Sequence, residues 1–285
     1  MKTTKYYKVA ENVFSVTADE KNFLAAENYK PFLTEKAETV FVVEIVEEKF
    51  DGNFTEEIVQ DDEGQKIVIG HNETHKIFGF YLLEVECGVL VSDSDYKNAR
   101  LFITGYESKF AFDNAAMILY ALSTASKSTL LFHSSVTVLD GFAYMFLGKS
   151  GTGKSTHSSL WLKNFPEARL LNDDNPVVRI CEDKTIKVYG SPWSGKTPCY
   201  KNKVFPVGGI VSLSQAKFNK ISELKGVMAY VAIVTSISGN RWERHIADAL
   251  HESENFLTQH VKVWHLECLP DDAAAILCKE TITKQ

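Results

Sequence analysis

The stretch Gly148-Lys149-Ser150-Gly151-Thr152-Gly153-Lys154-Ser155-Thr156 matches the pattern G-x-x-x-x-G-K-[ST] in full. Ahead of it runs Gly141-Phe-Ala-Tyr-Met-Phe-Leu147, mostly apolar and aromatic. Behind it, Thr156-His-Ser-Ser-Leu-Trp-Leu-Lys163 offers Leu160 and Trp161 to the buried side of a helix. Strand, glycine loop and helix in that order predict a phosphate-binding loop. Gly148, Gly151 and Gly153 let the backbone turn tightly, so that successive N–H groups and the helix N-terminus converge on phosphate oxygens. On this reading residues Gly148 to Thr156 bind a nucleotide. Lys154 offsets the charge of the β- and γ-phosphates, and the Ser155 hydroxyl takes one position on a Mg²⁺ bridging them.

Downstream of the helix, Ala168-Arg-Leu-Leu-Asn-Asp173-Asp174-Asn-Pro176 reads as a strand that ends in two carboxylates and a proline turn. Hard oxygen ligands suit Mg²⁺ or Mn²⁺, and a carboxylate kept off the metal can accept the proton of an attacking hydroxyl. Asp173 and Asp174 are therefore candidates for metal ligand and base, with the division between them open. Asp and Asn also favour solvated turns, so position beside the loop is what raises this pair to a site. Upstream, Leu130-Leu-Phe-His133-Ser-Ser-Val-Thr-Val138 reads as one strand, and the Asp140-Gly141 turn leads from it into the loop's own strand. That hairpin carries His133 back toward the nucleotide, although a lone histidine in an apolar strand also fits a core role.

His133-Ser-Ser, Lys149-Ser-Gly-Thr-Gly-Lys-Ser155 and Leu170-Leu-Asn-Asp-Asp174 follow one another in an order and spacing that resemble the P-loop core of ATP-dependent phosphoenolpyruvate carboxykinase and of HPr kinase/phosphorylase. The resemblance covers about residues 127 to 200. It implies that His133 stands on the strand before the loop, that Lys154 and Ser155 meet phosphate and Mg²⁺, and that Asp173 and Asp174 serve metal and proton transfer. Gly190-Ser-Pro-Trp-Ser-Gly-Lys196-Thr resembles a turn of HPr kinase-like proteins in which the glycines and the lysine lie near the phosphates, which adds Lys196 to the nucleotide site. The carboxykinase region that grips oxaloacetate is not recognisable in this chain, nor is the N-terminal domain of HPr kinase in residues 1 to 125. What carries over is the nucleotide site, with an unidentified small molecule or protein as phosphoryl acceptor. Three functions follow: an ATP- and Mg²⁺-dependent kinase, a regulatory module that senses ATP without turnover, and a carboxykinase activity.

At 285 residues and 45% hydrophobic content the chain holds one large domain or two modest ones. A net charge of −6 and the lack of any dense Lys/Arg run argue against nucleic acid, while Lys196, Lys201 and Lys203 form a local basic patch suited to an acidic ligand. The five cysteines are odd in number, scattered and never spaced C-x-x-C, so neither a disulfide framework nor a zinc site is suggested. Met1 to Tyr7 contains no apolar signal region and no apolar run approaches the roughly 20 residues of a membrane span, so a cytoplasmic protein with no membrane partner is expected. Oligomerisation is left open.

The expected fold class is mixed α/β and β-rich, a phosphoenolpyruvate carboxykinase-like P-loop core with a β-rich N-terminal part. Residues 1–105 alternate short apolar runs with acidic turns: Val13–Val16, Thr39–Val46, Lys66–Ile69, Phe78–Leu83 and Arg100–Thr104 read as strands. His71 and His75 flank an Asn-Glu turn and read as a surface loop, not a zinc pair. Residues 106–285 form the nucleotide-binding region, introduced by a helix over Phe112–Ser123 with Asp113 as its N-cap, and the two parts have room to share one core. Thr185–Tyr189, Gly208–Leu213 and Val261–Glu267 read as strands, Trp242–His260 and Asp271–Cys278 as helices, and Lys225–Val234 fits either. Arg241 and Arg244 are the arginines best placed to reach the site, against a plain ion-pair role.

Overall fold

A computed structural model describes residues 1–20, 27–195 and 197–283. Strand exceeds helix, 41% against 26%, so the chain is mixed α/β and β-rich, with two mixed sheets. It divides into two compact units, residues 1–124 and 125–285. The helix expected to open the second part belongs to the first unit, because it packs on that unit's strands.

In the first unit nine strands form one sheet: β1 (Lys2–Val9), β2 (Asn12–Asp19), β3 (Leu33–Thr34), β4 (Val42–Val46), β5 (Thr55–Asp62), β6 (Gln65–His71), β7 (Lys76–Leu82), β8 (Val85–Ser92) and β9 (Asn98–Ile103). Their order is β3-β1-β2-β4-β9-β8-β7-β6-β5, antiparallel except where β4 runs parallel to β2 and β9. The helix α1 (Ser108–Thr124) lies on β7, β8 and β9. Aromatic rings fill the core beneath it. Phe14 stacks on Phe41 at 4.8 Å, and Tyr29 meets Phe112 at 5.3 Å. The run of strands from β5 to β8 is joined by tight turns, of which the acidic Asp61–Gly64 is one. β1, β3, β5 and β8 escaped the sequence reading, and β5 shows why: its eight residues are almost all exposed, so no apolar alternation marks it. Asp113 is not an N-cap. The helix starts six residues earlier than that role requires, at Ser108, and the Asp113 carboxylate instead accepts a hydrogen bond from the Tyr29 hydroxyl at 2.9 Å and pairs with Lys109.

The second unit holds β10 (Thr129–Leu131), β11 (Ser134–Leu139), β12 (Phe142–Leu147), β13 (Arg169–Asp174), β14 (Val177–Ile180), β15 (Ile186–Tyr189), β16 (Val204–Gln215), β17 (Lys220–Leu224) and β18 (Val263–Cys268). The main path is β10-β14-β15-β16-β12-β11-β13, with β18 also beside β16 and β17 beside β18. Leu131 and Ser134 are three residues apart, within about 11 Å. Yet their strands stand five places apart on this path, about 24 Å in a flat sheet. The path must therefore fold back, and the 12-residue β16 lets it do so: Val204 to Pro206 pair with β15, and Val207 onward pairs with β12.

The single strand expected over Leu130–Val138 is thus two strands, broken at Phe132 and His133. The break is held by long-range backbone bonds: Phe132 N–H donates to Pro176, His133 N–H to Ser236 at 2.7 Å, and Ser238 N–H to Leu131. The helices are α2 (Lys154–Asn164), α3 (Val227–Val234), α4 (Arg244–His260) and α5 (Asp272–Ile282). Lys225–Val234, open in the sequence, contains the helix α3. α2 packs on α5 and on β11, β12 and β13, and α3 packs on α4. Trp161 of α2 is fully buried among Tyr144, Phe146, Val211, Leu266 and Cys278, a contact worth several kcal/mol by area, roughly 25 cal/mol per Å² of apolar surface. The α5 N-terminus is capped as its sequence predicts, with the Asp271 carboxylate accepting from Ala274 N–H at 2.9 Å. Among the described residues, no helix is long and apolar enough to cross a membrane.

Candidate functional site

β12 ends at Leu147 and the chain enters the glycine loop. Gly148, Gly151 and Gly153 have φ of 154°, 75° and 108°, values that a side chain at those positions would strain. Among the described residues nothing lies within 4 Å of where a Cβ would stand at Gly151 or Gly153, so the loop presents bare backbone. Thr152 N–H donates to Lys149 at 3.1 Å and closes the turn, and Gly153 stands as N-cap of α2. Lys149, Ser150, Ser155 and Thr156 are exposed, and Thr152 is half-buried. Lys154 folds back over the loop: its buried ammonium donates to Gly148 O at 2.9 Å and Lys149 O at 3.4 Å. Desolvation pushes its pKa below the usual lysine value, while the charges of Asp174 and then Asp173 oppose the fall.

Those aspartates come from a neighbouring strand with aligned ends. β11 lies between β12 and β13 and is antiparallel to both, and its residue Ser134 is in register with Leu147 on one side and Asp174 on the other. The end of the loop's strand, the residue after His133 and the second aspartate therefore share one row at one edge of the sheet. His133 Nε2 stands 3.4 Å from Asp174 Oδ1, and Asn175 Nδ2 donates to Asp174 Oδ2 at 2.7 Å. Asp174 has φ of 150°, a strained backbone for a residue with a side chain. Successive strand residues face opposite sides. Asp173 is accordingly buried while Asp174 is half-exposed beside the histidine.

The segment after β15 braces this pair. Gly195 N–H and Ser194 Oγ both donate to the Asp173 carbonyl, at 2.6 and 3.2 Å. A Cβ on Gly195 would come within 3.2 Å of Asp173 O and Asp174 Cβ, so the glycine permits the close approach. Buried Asn172 donates to Ser191 Oγ and Trp193 O and accepts from Asn175 N–H at 2.9 Å, tying the aspartate turn to the same segment. Lys196 lies outside the described residues. Of the two glycines expected near the phosphates, Gly195 stands against the aspartates, whereas Gly190 N–H donates to Lys203 O at 3.0 Å. Lys201 donates to Leu170 O farther along β13.

A cavity of about 660 Å³ opens over the loop, lined by His133 and Gly148 to Thr152 and also by Ser212, Ser214, Gln215, Thr235 and Ser236. These last five were missed in the sequence. Gln215 Nε2 donates to Gly151 O at 3.1 Å, and Ser214 Oγ is 3.1 Å from His265 Nε2. The only local signal for Ser212, Ser214 and Gln215 is the polar Ser-Leu-Ser-Gln end of an otherwise apolar strand, and these three reach the loop because β16 runs parallel to β12 with Ser212 opposite Leu147. Arg241 and Arg244 are engaged elsewhere, in ion pairs with buried Glu254 at 2.6 Å and with exposed Asp248 at 3.6 Å. Among the described residues no group of three or more His, Cys, Asp or Glu is arranged to hold a metal.

No protein-family model matches this chain, and no curated protein matches it. The site is accordingly defined by its own geometry: a strand, glycine loop and helix of the kind that accepts anions at a helix N-terminus, with two carboxylates at the end of β13 and a histidine in the break between β10 and β11.

Proposed function

We propose that the chain is an ATP- and Mg²⁺-dependent phosphotransferase of the HPr kinase-like type, moving the γ-phosphoryl group to a hydroxyl of a small molecule or protein. The observation that carries this reading is the row Leu147, Ser134, Asp174, which sets the glycine loop, His133 and the aspartate pair at one sheet edge. The residues fit a triphosphate: open backbone at Gly151 and Gly153, and in Lys154 a desolvated ammonium that donates to two neutral carbonyls. Bound there, MgATP would supply the transferable phosphoryl group and a metal charge to offset that of the phosphates.

In this reading Ser155 and the Asp173 carboxylate would hold the metal side of the nucleotide, and Lys154 would swing from its carbonyls to phosphate oxygens. Asp174, half-exposed and in contact with His133, is the better candidate base. It takes the proton of the acceptor hydroxyl as the new O–P bond forms and the bond to the β-phosphate oxygen breaks, releasing ADP. His133 orients that carboxylate. Asp173, buried and fixed through its backbone, suits the static role of ligand. The titratable His133–Asp174 contact favours transfer over a module that merely stores ATP, since retention of a nucleotide needs no base.

The test is incubation of the purified chain with γ-labelled ATP and cell extract, followed by identification of labelled acceptors. Label on a hydroxyl of one acceptor, lost with Asp174→Asn, is the expected result. Tight ATP binding with no label on any acceptor would instead favour the sensing module.

A further inference from the structure

Two cavities meet over the glycine loop and differ in chemistry. The larger extends from the loop's beginning, past His133 and the serines of β16 and residue 236. The smaller, about 320 Å³, extends from the loop's end, where Gly153, Thr156 and His157 form one wall. Leu160, Ala216, Cys268, Leu269 and Pro270 form much of the rest. The two share Gly151, Thr152, Leu213 and Gln215, so they are the ends of one groove across the loop. Among the described residues no Asp, Glu, Lys or Arg lines the smaller end. Its imidazole is buried, His157 being 3% exposed. His157 Nε2 accepts from Trp161 Nε1 at 3.2 Å, which leaves the ring proton on Nδ1 as a donor.

A nucleoside triphosphate has the same asymmetry, with a charged chain at one end and a flat, neutral aromatic base at the other. We infer that the smaller cavity is the nucleobase subsite and takes a purine ring against Leu160, Ala216 and the Cys268–Pro270 segment. This rests on the nucleotide reading above and gives it a direction: the phosphate chain runs back over Gly151 to Lys154, and the γ-phosphoryl end faces His133 and Asp174. The volume lies at the lower end of the range for small-molecule pockets, about 300–1,000 Å³, enough for a base but not for a second charged ligand beside it. A two-ring base buries more apolar surface there than a one-ring base, and apolar burial is what such a lining rewards.

Calorimetry on the full chain with ATP, CTP and inorganic tripolyphosphate, each with Mg²⁺, tests the assignment. ATP should bind at least about tenfold more tightly than tripolyphosphate or CTP. Ala216→Phe, which fills the cavity, should bring ATP down to the affinity of tripolyphosphate and leave tripolyphosphate unchanged. Leu269→Ala, at a residue 36% exposed whose side chain the fold does not need, should weaken ATP alone by a few-fold. Equal wild-type affinities for ATP and tripolyphosphate would overturn the nucleobase assignment while leaving the phosphate site standing. So would parallel losses of both ligands in Leu269→Ala, or no loss of ATP in either variant. If neither ATP nor tripolyphosphate binds the wild-type chain, the phosphate site fails and the inference falls with it.

Discussion

His157→Gln should remove an acid sensitivity built into the helix that follows the glycine loop. The wild-type imidazole is buried against Phe146, 4.7 Å between ring centroids, and accepts a hydrogen bond from Trp161. Protonation would bury a charge and abolish that acceptor. Burial lowers the pKa from 6.5 to about 4 in the folded state, so between those values the unfolded chain binds more protons and stability falls as pH falls. The contribution is fully present above pH 6.5 and fully lost below about pH 4. At about 1.4 kcal/mol per pH unit, that interval corresponds to about 3 kcal/mol. For a unit of this size, where 1 kcal/mol moves Tm by about 2–4 °C, the loss is about 6–12 °C. All four tryptophans, Trp161, Trp193, Trp242 and Trp264, lie in residues 125–285, so intrinsic fluorescence follows the unfolding of that unit alone. Melts of wild type and His157→Gln from pH 7.5 to 4 isolate the term, because other titrating groups cancel in the difference. The variant starts lower at neutral pH and loses less on acidification. A wild-type minus variant difference that stays constant over this range would refute the reasoning.

Lys154→Ala should weaken ATP binding by at least about tenfold with an unchanged melt, since the ammonium's hydrogen bonds go only to carbonyls of its own loop; equal ATP affinity in a folded variant would refute the phosphate assignment. Asp174→Asn should cut phosphoryl transfer by on the order of 10²- to 10⁴-fold while ATP still binds, and His133→Ala should lower transfer more than Tm, both read from labelled-ATP assays beside melts. Arg241→Ala should destabilise the second unit by about 3 kcal/mol, because it strips the charge partner from Glu254, which is fully buried and also accepts from the Tyr230 hydroxyl at 2.8 Å; denaturant titration followed by tryptophan fluorescence measures it, and a loss within error of zero would mean the pair is solvated.

The sequence by itself determined the strand, glycine loop and helix around Gly148–Thr156, because each of those elements is encoded by contiguous residues: an apolar run, closely spaced glycines, and Leu160 and Trp161 on the buried side of a helix. It determined the Asp271-capped closing helix for the same reason. Where the signal was local but ambiguous, as at Val227–Val234, only packing against α4 decided for helix. Only the tertiary structure decided that the apolar run around His133 breaks in two, since the bonds that end β10 and start β11 come from Pro176 and Ser236, far along the chain. It alone aligned Leu147, Ser134 and Asp174 in one row and brought Ser212 and Gln215 to the loop. Strand register and strand neighbours are set by which distant backbone edges find each other, and the side-chain pattern of any one strand fixes its faces but not its partner.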